Sequence, residues 1–113
     1  MKKDKAYLQD ILDSISDIES FIANITEIEF YKNKEKKYAV VRALEIIGEA
    51  AKNLSKELRV KHKEIPWKEI AGMRDKLIHF YFGIKWELVW ETVKHKIPEL
   101  KKQLLKISAE QND

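Results

Sequence analysis

The chain has no cysteine, three glycines and two prolines in 113 residues. The first absence excludes a disulfide framework and any thiolate metal site. So few Gly and Pro leave little turn chemistry, which argues against a β architecture. No apolar run approaches the roughly 18 residues of a membrane-crossing helix. The start, MKKDKAYLQD, contains no apolar stretch of signal-peptide type. A cytoplasmic location away from membranes is the expectation. The three His are scattered at positions 62, 79 and 95, with no HExxH among them, so no metal site is expected. The glycines are isolated, so there is no phosphate-cradling loop. The serines lack the strand-turn-helix elbow of a nucleophile.

What is present is a chain 44% hydrophobic and 36% charged. That combination fits one domain, residues 1–113, built from amphipathic helices with wet outer faces. The net charge of +3 is unevenly placed. Residues 1–31 hold three Lys and seven acids, a net of −4, and residues 32–113 hold nineteen Lys and Arg against twelve acids, a net of +7. A basic body is compatible with RNA or nucleotide binding, and equally with a Lys-rich helical protein of no such role.

Apolar residues from Tyr7 to Ile22 follow helical spacing, so a first helix is expected over Asp4–Ala23 with Asp4 as N-cap. Thr26 and Glu29 form a capping-box pattern that starts a short helix, Glu27–Tyr31. Val40, Leu44, Ile47, Ala51, Leu54 and Leu58 predict one long helix over Lys34–Leu58. Ala43, Gly48, Ala50 and Ala51 make it narrow enough for a neighbour to pack close. Its other stripe holds Tyr38, Arg42, Glu45, Glu49 and Lys52. This stripe reads either as a surface ion-pair ladder or as a source of a carboxylate that reaches a functional face elsewhere. His62 sits in the basic connector Arg59–Pro66 and reads as a surface residue. A last helix over Lys85–Ser108 should kink or split near His95–Ile97, because Pro98 falls inside its pattern. Trp86 and Trp90 read as core anchors, and the tail from Ala109 should fray. The sum is an all-α, up-and-down bundle of four to five helices.

The most informative stretch is Ala71–Gly83, AGMRDKLIHFYFG. Pro66 suits the start of a helix running through it. On a helical wheel with Arg74 at 0°, Ile70, Met73, Leu77, Phe80 and Ile84 fall between about 240° and 320°, one core-facing stripe. Asp75 and His79 would be i,i+4 neighbours on the opposite side. Ile78 and Phe82 fall between the polar groups, away from the core, and read as a seam for a second chain or as two stray exposed apolar residues. An Arg and a His with a phenol and a carboxylate nearby suit metal-independent cleavage of RNA, whose 2′-hydroxyl is a built-in nucleophile. His79 would serve as general acid or base, Arg74 would stabilise the phosphorane, and Asp75 would orient the imidazole. Glu45 or Glu49 could reach this cleft. One chain supplies one such His, whereas cleavage wants a base and an acid, so a homodimer with a composite cleft is expected.

Arg74-Asp75-Lys-Leu-Ile-His79-Phe-Tyr81 resembles the Arg-x4-His-x-Tyr motif of HEPN ribonucleases. RALEIIGEAAKNLS (Arg42–Ser55), PWKEIAGMRDKLIHFYFGI (Pro66–Ile84) and WELVWETVKHKIPEL (Trp86–Leu100) resemble the HepT-type toxins in order and spacing. The resemblance implies a HEPN-like α-helical homodimer that acts as the toxin of a two-component toxin–antitoxin system. Arg74 and His79 would be its catalytic pair. It also implies a partner, a minimal nucleotidyltransferase of MntA-like type, which uses ATP and Mg²⁺ to transfer AMP to Tyr81. This chain would need no cofactor of its own. The contrasting reading is a non-catalytic HEPN module that presents substrate or nucleotide to such a partner.

Overall fold

The computed structural model describes residues 2–79 and 83–111, and describes the backbone only of Lys2, Ile78, His79 and Gln111. Among these residues the regular structure is helical apart from one two-residue hairpin. Helix α1 (Lys2–Ile22) packs along α3 (Lys34–Lys52) and against α8 (Ile97–Gln111). These rods enclose a core of Leu8, Ile11, Ile15, Ile18, Val40, Leu44, Ile47, Leu104 and Ile107. The expected all-α bundle is present, in more and shorter pieces than expected.

The local signals explain most boundaries. Helix α2 (Glu27–Lys32) begins on the capping box: Thr26 Oγ1 accepts from the Glu29 N–H at 3.1 Å, and the Thr26 N–H donates to Glu29 Oε1 at 3.2 Å. Asn33 ends α2 and caps α3, its Oδ1 accepting from the Lys36 N–H at 2.9 Å.

The long helix expected to Leu58 stops at Lys52. Asn53 Nδ2 donates back to the Glu49 carbonyl at 2.8 Å, and Ser55 caps a separate helix α4 (Lys56–Lys61) by accepting from the Leu58 N–H at 3.1 Å. Leu54 and Leu58 are buried all the same, so the apolar stripe continues across the break.

Asp4 is not the N-cap of α1. It lies within the first turn, buried, and accepts from the Ser55 N–H at 2.8 Å and the Ser55 hydroxyl at 2.6 Å. The chain start is thereby tied to the start of α4.

His62 is buried rather than on the surface. It ends α4, its carbonyl accepts from Trp67 Nε1 at 3.0 Å, and its imidazole lies 3.4 Å from a Glu110 carboxylate oxygen at the far end of α8.

The final run splits as Pro98 requires. Helix α7 (Trp86–Glu91) passes through a π-helical turn (Thr92–Lys96) into α8. Pro98 has no N–H to offer the carbonyl four residues back, and the wider turn makes room for its ring. The helix continues to Gln111, past the point where fraying was expected. Trp90 is buried with its ring centroid 5.1 Å from that of Phe30, whereas Trp86 is only half-buried.

Candidate active site

Helices α5 (Trp67–Ala71) and α6 (Met73–Leu77), separated by Gly72, carry the first half of the motif. Helix α5 starts on Pro66, whose carbonyl accepts from the Ile70 N–H at 3.0 Å. Both helices pack on α3, and Gly48 lets them approach. A Cβ built there would lie 3.3 Å from the Ile70 carbonyl oxygen and 3.4 Å from that of Ala71. Of the expected core stripe, Ile70, Met73 and Leu77 are buried and Ile84 packs against the same core half-buried, while Phe80 lies outside the described residues.

The helix expected through His79 ends at Leu77. Ile78–His79 (β1) and Gly83–Ile84 (β2) form an antiparallel pair, with Ile78 opposite Ile84 and His79 opposite Gly83. Lys85 extends the ladder by donating its N–H to the Leu77 carbonyl at 3.0 Å. Two properties of the sequence favour this. Ile78, Ile84 and the aromatic run between them prefer extended backbone. Gly83 has φ +84°, a left-handed conformation that no helix interior accepts and that hairpin ends need. The helical i,i+4 relation of Asp75 and His79 and the helical wheel position of Ile78 do not hold, because the helix ends at Leu77 and Ile78–His79 is a strand. The side chains of Ile78 and His79, and all of Tyr81 and Phe82, lie outside the described residues.

Of the motif's Arg, His and Tyr, Arg74 is the one whose side chain is described. Its Nε donates to Glu45 Oε2 of α3 at 2.8 Å, with side-chain exposures of 41% and 26%. Asp75, 77% exposed, brings a carboxylate oxygen to 3.8 Å from an Nη of Arg74. The hydrogen bond to Glu45 is the main cause that raises the Arg74 pKa above the ordinary guanidinium value. Desolvation opposes it, and the charges of Glu45, Asp75 and Glu49 add to it. A guanidinium is a cation throughout the ordinary pH range, and these neighbours reinforce that state in Arg74.

The pair borders a cleft of about 300 Å³ lined by Tyr7 and Asp10 of α1, Arg42, Glu45, Glu49 and Asn53 along α3 and its end, and Arg74 of α6. Glu45 and Glu49 thus share a cleft with Arg74, and Glu45 makes the direct bond. Tyr7, Asp10 and Asn53 were not singled out in the sequence. Nothing local marks them, because their place depends on how α1 pairs with α3. A second, mostly apolar cavity of about 370 Å³, lined by Ile70, Met73, Leu77, Thr92 and Leu100 among others, does not include Arg74. Among the described residues no group of three or more His, Asp or Glu could hold a metal ion, and no helix is long and apolar enough to cross a membrane.

The model of the family described as "Ribonuclease HepT-like" matches residues 11–107, which include the cleft's α3 and α6 residues and the whole Arg74–Tyr81 motif. The chain belongs to that family. A Methanocaldococcus jannaschii protein named provisionally as an RNase is 56% identical over 103 residues, covering 91% of this chain and 85% of its own. A Caldanaerobacter subterraneus protein, also named provisionally as an RNase, is 50% identical over 107 residues, covering 95% of this chain and 96% of its own. A Thermococcus cleftensis protein provisionally named ribonuclease HepT is 50% identical over 103 residues, covering 91% and 94%. No solved structure gives a significant match. Membership in the HepT-like family makes RNA cleavage the reaction class of the chain.

Proposed function

We propose that this chain is a metal-independent endoribonuclease whose active site is completed by a second copy of itself. The observation that carries the reading is Arg74 held at Nε by Glu45 on the rim of an open cleft, in a family named for ribonuclease activity. Charge held in a fixed direction is what a phosphorane-like transition state requires. In the reaction, the 2′-oxygen bonds to the adjacent phosphorus as the bond to the 5′-oxygen breaks. The products are a 2′,3′-cyclic phosphate and a 5′-hydroxyl. His79 takes the proton from the 2′-hydroxyl, and the partner's His79 gives one to the leaving 5′-oxygen. Arg74 stabilises the charge on the non-bridging oxygens.

The same reading makes the protein a toxin silenced by a nucleotidyltransferase antitoxin that spends ATP with Mg²⁺ to place AMP on Tyr81. An added phosphodiester at the cleft would compete for Arg74 and repel the RNA backbone. The site needs no cofactor of its own. The deciding experiment incubates total RNA with wild type, Arg74→Ala and His79→Ala in the presence of a chelator. Wild type should cut and both variants should not. Cutting by either variant, or loss of wild-type cutting in chelator, would reject the assignment.

A further inference from the structure

The end of α2 and the first turns of α3 carry a group of side chains that the cleavage site does not use. Lys32, Lys34, Lys36 and Lys37 fall within six residues with only Glu35 opposing them. Tyr38 follows, 52% exposed, one of the few large apolar side chains on the surface. Its ring does not stand alone. Trp86, half-buried at the start of α7, meets it near edge-on, with centroids 5.8 Å apart at 76°. Trp86 is in turn braced from the core by Phe30, 6.3 Å away at 75°, and Lys37 Nζ lies 4.7 Å from the Trp86 ring centroid. A large aromatic face held in place by a second aromatic, beside a cluster of ammonium groups, is what a single-stranded nucleic acid binds. The base stacks on the ring and the phosphates meet the lysines.

Position ties this patch to the cleft. Tyr38, Arg42, Glu45 and Glu49 recur at helical spacing and fall within about 60° of one another around α3. Glu45 lies seven residues beyond Tyr38, about 10 Å along the axis. The same helix face therefore runs from the aromatic patch to the carboxylate that holds Arg74. Glu87 and Glu91 outnumber Lys85 in a recess with Tyr31 and Trp86, and its net negative charge disfavours a phosphate there, which directs the strand along α3.

We infer that Tyr38, buttressed by Trp86 and flanked by Lys34 and Lys37, is a base-stacking subsite for the single-stranded RNA whose scissile phosphate sits at Arg74. The inference rests on the ribonuclease reading for its substrate. The bracing of Tyr38 matters because a ring already held in its bound orientation loses little freedom on binding.

The test uses the purified full chain and a short fluorescein-labelled 2′-O-methyl RNA, which lacks the nucleophilic hydroxyl and cannot be cut. Fluorescence anisotropy at fixed salt compares wild type, Tyr38→Ala and Tyr38→Phe, with cutting of the matching natural RNA followed in parallel. Tyr38→Ala should weaken binding by about 5- to 150-fold, and Tyr38→Phe should restore it to within about twofold, because the ring and not the hydroxyl carries the contact. Equal affinity of wild type and Tyr38→Ala overturns the subsite, and so does failure of Phe to rescue. Tyr38-dependent binding by a wild type that cuts no RNA would leave the subsite standing and remove the nuclease reading instead.

Discussion

Glu45→Ala gives the most direct access to how the cleft works, because it touches Arg74 without removing it. Two consequences follow, with opposite signs. The guanidinium loses its anchor at Nε, and its ordering falls more heavily on its remaining contacts, Asp75 at 3.8 Å among them, and on the substrate. Ordering a long side chain at an interface corresponds to a factor of about 2 to 12, and complete loss of a charge-stabilising donor costs about 10² to 10³ in kcat. A fall of roughly tenfold in kcat, well short of that for Arg74→Ala, is therefore expected. At the same time one carboxylate leaves a cleft that also holds Asp10 and Glu49. RNA phosphates then meet less repulsion, so KM should fall and the salt dependence of binding should steepen, by about 0.7 in log–log slope for each extra phosphate engaged.

Glu45→Gln separates the two effects. Its amide oxygen can still accept from Arg74 Nε, so kcat should largely recover while the lower KM persists. Glu49→Ala is the control, since Glu49 lines the same cleft and adds its charge near Arg74, whereas Glu45 accepts the Nε hydrogen bond. The assay is steady-state cleavage of a fluorogenic RNA at two salt concentrations, with thermal melts to confirm folding. If Glu45→Ala leaves kcat unchanged, or lowers it no more than Glu49→Ala does, Glu45 is not positioning Arg74 and the argument from the 2.8 Å contact is wrong.

The other expected outcomes concern the frame around the cleft. Asp4→Ala removes an acceptor for two hydrogen bonds from Ser55 and should cost about 1–3 kcal/mol, read from urea unfolding midpoints. Gly48→Val should destabilise by about 1–3 kcal/mol through overpacking, because the carbonyls of Ile70 and Ala71 stand where its side chain would go. It should also lower cleavage, since those carbonyls belong to the segment that delivers Arg74. Gly48→Ala sets a helix-propensity gain of about 1 kcal/mol against the same contact, and a clear stabilisation would show that the backbone there yields easily. Tyr31 has its pKa raised to about 12, chiefly by the hydrogen bond from its hydroxyl to Glu27, with smaller contributions from desolvation and nearby carboxylates. Absorbance titration should therefore show a late tyrosine that Glu27→Gln brings back toward 10. The proton is held more tightly in the folded state, so its contribution to stability is present below pH 10 and lost as pH rises through about 12.

The bundle was legible because its information is periodic and local. Apolar spacing located α1, α3 and the α7–α8 run, and capping chemistry located α2. Two things escaped. The break between α3 and α4 lies in a stretch whose apolar stripe runs on through Leu54 and Leu58. Only the side-chain bonds of Asn53 and Ser55 interrupt it, and these compete with a helix without altering the hydrophobic pattern. Asp4 and His62 were assigned to their own neighbourhoods, whereas their partners, Ser55 and Glu110, are 51 and 48 residues away.

The motif segment shows where periodicity misled most. Ile70, Met73, Leu77, Phe80 and Ile84 satisfy a helical stripe, yet the last helical residue is Leu77 and β1 begins at once. A wheel weighs only where apolar residues recur. It ignores that Ile78-His79-Phe80-Tyr81-Phe82 is a run of β-branched and aromatic residues closed by a glycine at positive φ, and these are strand and turn preferences. The consequence reaches the chemistry. Arg74 stands on a helix clamped to α3 through Glu45, whereas His79 stands on a strand held to the rest of the chain by its pairing with Gly83 and the bond from Lys85 to Leu77. Arg74 and His79 therefore stand on different backbone supports. Substituting Gly83 with Val, which strains the left-handed backbone, should impair the function of His79 while leaving the Glu45–Arg74 pair intact. Affinity for uncut RNA should then change little while kcat falls. An equal loss of both would mean that the hairpin and α6 move as one unit.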